Sequence, residues 1–186
     1  MQRIIIIAGP SGVGKTTVTD YLAKKYNIPR VITHTTRPRR KGEKDGLSYY
    51  FETDETFKKY HFFEHVKYGN YQYGSSREAL ERAWQKNDIV TLIVETDGVK
   101  TYLEELGKRA YFIYLTVRDE KVLRQRLITR GDDPVEIDKR LNSREFKRDL
   151  KLDPYLSAQA HYIENDELEI TKNKLDQIVG LLRSNN

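Results

Sequence analysis

The sequence predicts a three-layer α/β fold built on a parallel sheet. Three observations carry that reading: the run Ile4-Ile5-Ile6-Ile7-Ala8 feeding a glycine-rich loop, further apolar runs at 89–94 and 111–117, and helix-period segments between them. Short β-branched runs without a polar break belong to strands buried on both faces, as parallel strands are. The 186 residues suit one globular unit rather than two independent domains.

The first run opens into Gly9-Pro10-Ser11-Gly12-Val13-Gly14-Lys15-Thr16, which fits the phosphate-loop pattern G-x-x-x-x-G-K-[ST] at every fixed position. Glycines let the backbone curl so that successive N–H groups point at phosphate oxygens, and the following helix adds its positive end. Lys15 suits the β/γ-phosphates and the Thr16 hydroxyl suits Mg²⁺. After Thr17, Val18, Leu22 and Ala23 recur at helical spacing, with Lys24 and Lys25 near the last turn. A strand before and a helix after make this a P-loop NTPase core that binds a nucleoside triphosphate.

Next, Val31–Thr33 reads as a short strand, followed by a polar loop over 34–46 with five basic residues between 37 and 44. Three readings compete for that loop: a solvated segment, a nucleic-acid patch or an anion pocket. Arginines among hydroxyls and tyrosines favour the pocket. Ser48–Phe51 reads as a strand, Asp54–Tyr60 as a short helix with Asp54 as N-cap, and Phe62–Val66 as another strand. Gly69-Asn70 and Gly74 punctuate a loop. The aromatics of this stretch, like Trp84 after it, read as core, with a single-stranded nucleic-acid surface as the lesser alternative. His61 and His65 lie in a predicted β segment, where their spacing makes no helical ligand pair.

Arg77–Lys86 reads as a helix and Ile89–Val94 as a strand. Continued alternation puts Thr91, Ile93, Glu95 and Asp97 on one face, the last two near the strand's C-terminal end, where open α/β sheets bind ligands. A helix over 99–106 and a strand over 111–117 follow. Arg126 and Arg130 share a helix face closed by Gly131, and Arg140, Arg144 and Arg148 repeat at i,i+4,i+8. Such a stripe is either a solvated face or a movable lid over phosphates. His161–Asp166 reads as a last strand and loop, and Ile170–Leu182 as a closing helix. The core thus comprises 1–31, 84–118 and 151–186, with insertions at 32–83 and 119–150.

Composition narrows the class. Charged residues make up 33% of the chain and hydrophobic ones 38%, and there is no cysteine, so disulfides and thiolate metal sites are excluded. No apolar run reaches membrane-spanning length and no signal-peptide layout is legible, so a cytoplasmic location is expected. The net charge of +5 fits either nucleic acid or small polyanions, and the arginine placement favours the latter.

On these residues the chain resembles guanylate kinase nearly end to end. The similarity rests on the Gly9–Thr16 loop, on His34-Thr35-Thr36-Arg37 through Arg40, Gly42-Glu43, Gly46 and Tyr49, and on Phe63-Glu64 with Tyr73-Gly74-Ser75. It continues through Arg126, Arg130-Gly131, Arg140-Leu141 and Asn165-Asp166. The resemblance implies Mg²⁺-dependent phosphoryl transfer from ATP to GMP, with dGMP as a further acceptor, an NMP-binding insertion at 32–83 and an arginine-rich lid at 119–150. It implies Arg37, Arg40, Tyr49 and Tyr73 on the GMP phosphate, and Thr33, Glu64, Ser75 and Glu95 around guanine. Lys15, Arg130 and Arg140 are the implied catalytic residues. ATP falls to Gly9–Thr17, Arg126 and Asn165, and Mg²⁺ to Thr16. No nucleic-acid or membrane partner is implied, and the chain is a monomer or homodimer.

Some positions depart from the family pattern. Ile93 and Glu95 stand where two aspartates are usual, and Asp97 is the candidate replacement toward Mg²⁺. Pro38 precedes Arg39 rather than the second key arginine, and Gly69-Asn70-Tyr71-Gln72-Tyr73 is spaced one residue differently. Two alternatives stay open: a kinase for another small phosphorylated acceptor, and a catalytically silent interaction module.

Overall fold

The computed structural model of the chain describes residues 1–40, 42–68 and 70–184. In order, its elements are β1 (Arg3–Ala8), α1 (Lys15–Tyr26), β2 (His34–Thr35), β3 (Tyr50–Phe51), α2 (Asp54–Phe57), β4 (Phe62–Tyr68), β5 (Tyr71–Ser76) and α3 (Arg77–Trp84). Then come β6 (Ile89–Ile93), α4 (Thr96–Leu106), a 3₁₀ turn (Gly107–Arg109), β7 (Ala110–Thr116), α5 (Lys121–Thr129), α6 (Pro134–Leu141), α7 (Arg144–Asp149), α8 (Pro154–Gln159), β8 (His161–Glu164) and α9 (Leu168–Ser184).

The main sheet runs β6-β1-β7-β8 with every pairing parallel. Its central strand shows why the isoleucine run is needed. Ile4 and Ile6 enter one core with Ala79, Leu80 and Trp84 of α3 and Val99, Tyr102 and Leu103 of α4. Ile5 and Ile7 enter the opposite core with Val18 and Leu22 of α1, Leu123 of α5 and Leu175 and Val179 of α9. All four isoleucines are fully buried, each contributing about 1.5–3 kcal/mol. A second, mixed sheet runs β3-β2-β5-β4 and leans on α4 through Phe63, whose ring stacks on Tyr102 at 4.4 Å. Among the described residues no helix is long and apolar enough to cross a membrane.

Several local expectations are corrected. No strand forms over Val31–Thr33. Instead Val31 N donates to Thr91 O and Thr91 N to Pro29 O, lacing that segment to β6 before the chain turns into β2 at His34. Tyr71–Ser76, read as loop, is a full strand of a hairpin. Gly74 belongs there because a Cβ would meet the Phe62 ring 2.7 Å away, a close approach that only glycine permits in a strand. The N-cap of α2 is Thr53, not Asp54: Thr53 and Thr56 form a reciprocal capping box. Helix α4 starts at Thr96, so alternation ends at Ile93 and Asp97 sits in a helical first turn instead of extending the strand face. The stripe Arg140, Arg144, Arg148 is broken, because Ser143 caps a new helix by accepting from Phe146 N. Lys41 and Gly69, both part of loop readings above, lie outside the described residues.

Helix α9 is tied to α1 by one carboxylate. Asp176 accepts from the hydroxyls of Tyr21 and Tyr26, each at 2.6 Å, and from Lys25 at 2.7 Å. Burial alone would raise this carboxyl, but the three donors outweigh it and hold it at about 2, below its ordinary 3.8. A depressed acid adds stability above its unfolded value and loses it as pH falls through the folded one. Asp176→Asn is therefore expected to cost about 1 kcal/mol at pH 7, the pair being partly exposed. In urea denaturation the gap to the parent protein should close as the pH approaches 2.

Candidate active site

The site lies at the C-terminal edge of the main sheet, where β1 runs into the glycine loop. Gly9 and Gly14 adopt φ of +142° and +103°. A Cβ on Gly9 would lie 2.5 Å from Leu115 O, and one on Gly14 would lie 2.4 Å from Asn165 Nδ2. The loop is thus pressed onto the ends of β7 and β8, with Val13 fully buried beneath it. Asn165 Nδ2 donates to Val13 O at 2.7 Å while its Oδ1 accepts from Thr171 at 2.8 Å. Arg126 donates to Val13 O at 3.3 Å and to Asn165 O at 2.7 Å. Asn165 and Arg126 therefore hold the loop's backbone as well as lining its cavity.

Three cavities meet at this loop. The largest, about 840 Å³, is bounded by Gly12, Lys15, Thr16, Thr17, Arg126, Arg130 and Asn165. A second, about 490 Å³, is bounded by Ser11, Lys15, Ile93, Glu95, Arg140 and Asp149. A third, about 450 Å³, is bounded by Thr16, Thr33, Glu43, Tyr49 and Ile93. Lys15, Thr16 and Ile93 stand where they join. The Lys15 ammonium donates to Gly9 O at 2.5 Å and Pro10 O at 3.1 Å. Its pKa falls to about 8, chiefly through burial, helped by Arg130 and Arg140 and opposed by Asp149 and Glu95.

Arg130 and Arg140 converge on one acid. Arg130 Nε donates to Asp132 Oδ1 at 2.7 Å, and Arg140 Nη1 lies 3.3 Å from Asp132 Oδ2 and 3.5 Å from Ser11 Oγ. Asp132 was not singled out from the sequence. Its place immediately after Gly131, at the turn between two arginine-bearing helices, was the available signal.

On the mixed sheet, Arg37 is buried and donates to Glu43 Oε1 at 2.7 Å. Its guanidinium lies 5.6 Å from the Tyr49 ring, and that ring meets Tyr73 edge-on at 6.1 Å. Arg40 is exposed, and its backbone N–H donates to Glu43 Oε2 at 2.7 Å. Ser75 Oγ donates to Glu64 Oε1 at 2.9 Å. Gly98 of α4 packs on Glu64, since a Cβ there would fall 3.0 Å from Glu64 Cγ. Burial, and then the nearby Glu95, raise the Glu64 carboxyl, while the Ser75 hydrogen bond lowers it. Thr33 and Tyr49 thus share the third cavity, with Arg37 and Tyr73 against the Tyr49 ring, while Glu64, Ser75 and Glu95 form a second group. Glu43 and Asp149 are additions that the sequence reading lacked as site residues.

The family model for guanylate kinase matches residues 1–181. The chain belongs to the guanylate kinase family. It is a nucleoside monophosphate kinase, and membership implies ATP and GMP as substrates. A guanylate kinase of Helicobacter pylori is 35% identical over 179 residues, covering 91% of this chain and 82% of that protein. One from Clostridium perfringens is 34% identical over 182 residues, covering 95% and 82%. In fold, the chain is similar to the crystal structure of guanylate kinase from Anaplasma phagocytophilum, with a TM-score of 0.65 at 24% identity over 99% of this chain and 86% of that one. It is also similar to a gluconokinase from Sinorhizobium meliloti, with a TM-score of 0.52 at 16% identity over 98% and 94%.

The kinase family implies Mg²⁺, and the donor set is the test. The Thr16 hydroxyl sits in the first turn of α1 at the junction of two cavities. Asp97 and Glu95 are both bound to Arg148. Among the described residues no group of three or more metal-ligating side chains occurs. Mg²⁺ retains waters and takes few protein oxygens beside substrate phosphates, and the Thr16 hydroxyl fits it as one such oxygen.

Gly14→Ala tests the seat of the loop. Its methyl group must expel Asn165 from Val13 O while forcing a left-handed φ. We expect about 1–3 kcal/mol of destabilisation in urea and a matching loss of affinity when ATP is titrated.

Proposed function

We propose that this chain transfers the γ-phosphoryl group of ATP to the phosphate of GMP, giving ADP and GDP, with dGMP as a second acceptor. The observation that carries this reading is the junction of cavities at Lys15, Thr16 and Ile93, with the glycine loop on one side and the cavity lined by Thr33, Glu43 and Tyr49 on the other. ATP is assigned to Gly9–Thr17 with Arg126 and Asn165. The GMP phosphate is assigned to Arg37, Arg40, Tyr49 and Tyr73, and guanine to Thr33, Glu64, Ser75 and Glu95. The core at 1–31, 84–118 and 151–186, the acceptor insertion at 32–83 and the lid at 119–150 are the matching division of the chain. A cytoplasmic monomer or homodimer completes the proposal.

Phosphoryl transfer asks little covalent chemistry of a protein. It asks for alignment and for positive charge on the moving group. Lys15 turns from the Gly9 and Pro10 carbonyls to the phosphates, and Arg130 and Arg140 supply charge from the lid. Thr16, with the nucleotide, would hold Mg²⁺, which would supply positive charge against the charge that develops. On the acceptor side guanine presents N1–H and N2–H₂ donors side by side, and the Glu64 carboxylate can accept from both. Adenine offers a lone pair at N1 and leaves that carboxylate unpaired, a mismatch worth about 10⁴ in selectivity at sites built on polar pairing.

The deciding experiment is ADP release from ATP and Mg²⁺ with GMP, dGMP, AMP, CMP and UMP as acceptors. GMP-selective turnover is expected, and Lys15→Ala should lower it by about 10² or more. Turnover absent from all five in protein that binds ATP would overturn the GMP reading. Glu64 gives a second test. Because its carboxyl is raised above 4.5, KM for GMP should climb on the acid side, beginning above that value, as protonation removes an acceptor. Glu64→Gln should raise KM for GMP about 10-fold to 100-fold, the worth of a charged hydrogen bond, and flatten that acid limb. KM for ATP should stay within about twofold.

A further inference from the structure

We propose that Arg148 is a positioning residue for the acceptor side of this reaction: its guanidinium docks α7 on the start of α4 and fixes the Glu95 carboxylate beside Lys15. The inference rests on the GMP reading above.

Arg148 stands in the last turn of α7, within the segment assigned to the lid. Its Nη2 donates to Glu95 Oε2 at 2.9 Å, its Nη1 to Asp97, and its Nε to Thr96 Oγ1 and Asp149 Oδ1, each at 3.1 Å. One planar fork therefore binds three consecutive residues at the N-terminus of α4 and a fourth on its own helix. Isolated exposed ion pairs contribute little. This one differs in geometry, because a rigid guanidinium with several acceptors admits a single arrangement of them. The seat is also rigid: Asp149 is buried, accepts from Thr96 Oγ1, and has its carbonyl bonded by the Tyr114 hydroxyl of β7.

The position explains why a cation is needed. Glu95 and Asp149 line the cavity that holds Lys15, and Glu64 lies close enough for Glu95 to disfavour its ionised form. Arg148 neutralises this group of carboxylates without entering the phosphate path. It engages Glu95 through Oε2, so Oε1 keeps its accepting capacity for a base N–H. Arg130 and Arg140 meet Asp132 instead, so Arg148 serves the acceptor side.

The test is steady-state kinetics with ATP and GMP on the full chain carrying Arg148→Ala, Arg148→Lys, Glu95→Gln and the double variant Arg148→Ala/Glu95→Gln. For Arg148→Ala we expect KM for GMP to rise about tenfold while kcat and KM for ATP stay within about twofold. Lysine, which keeps the charge but not the fork, should recover part of that loss. The double variant should be no worse than the poorer single one, since Arg148 acts through Glu95. An unchanged KM for GMP, a loss spread equally over GMP and ATP, or additive effects in the double variant would overturn the proposal. A parent protein inert toward GMP would overturn the acceptor reading and this inference with it; an active parent with an unaffected Arg148→Ala variant overturns the inference alone.

Discussion

The hydrogen bond from the Asn165 side-chain amide to the Val13 carbonyl fixes the rest of the site. A glycine loop has few side chains with which to hold its own shape, so its curvature must be imposed from outside. Here β8 delivers Asn165 at its C-terminal end, Thr171 of α9 fixes the amide's orientation, and Arg126 adds a second donor to the same carbonyl. The contacts at Gly9 and Gly14 leave no room for any other packing. The strand order β6-β1-β7-β8 matters for this reason. Only with β7 and β8 following β1 across the sheet do Leu115 and Asn165 reach the loop.

A second constraint is electrostatic. Four of the arginines assigned to nucleotide already carry an acidic or carbonyl partner: Arg37 has Glu43, Arg130 and Arg140 share Asp132, and Arg126 holds backbone oxygens. A buried guanidinium with no acceptor costs several kcal/mol. Glu43 removes that cost for the buried Arg37, and Asp132 holds the exposed Arg130 and Arg140 together beside the glycine loop. Phosphate binding then becomes an exchange of one acceptor for another. Part of the gross attraction is given up, and charge reaches the transition state with little reorganisation.

The sequence made the main sheet legible because apolar runs and glycine punctuation are local signals. β1, β6, β7 and the loop followed from residues adjacent in the chain. The mixed sheet was harder. β2 and β3 span two residues each, and β5 carries a glycine that only the ring of Phe62 explains. The break between α6 and α7 was written in Ser143, whose hydroxyl caps Phe146 N, but the regular spacing of arginines masked it. Site residues carrying a motif were legible, while their partners were not. Arg148 and Glu95 lie 53 residues apart, and neither strand nor helix periodicity relates positions at that separation.

The same break gives meaning to the apolar residue at 93. Ile93 closes β6 between the second and third cavities, so the wall between those two is hydrocarbon at that point. Under the proposed assignment a carboxylate there would add negative charge toward the substrate phosphates, a repulsion that a bound metal ion would offset. Isoleucine carries no such charge, and in the proposed transfer its hydrocarbon would favour the pull of Lys15, Arg130 and Arg140 on the phosphoryl group. The Glu95 and Asp97 side chains nearby are bound by Arg148, which α7 carries after Ser143 caps its start just past the end of α6.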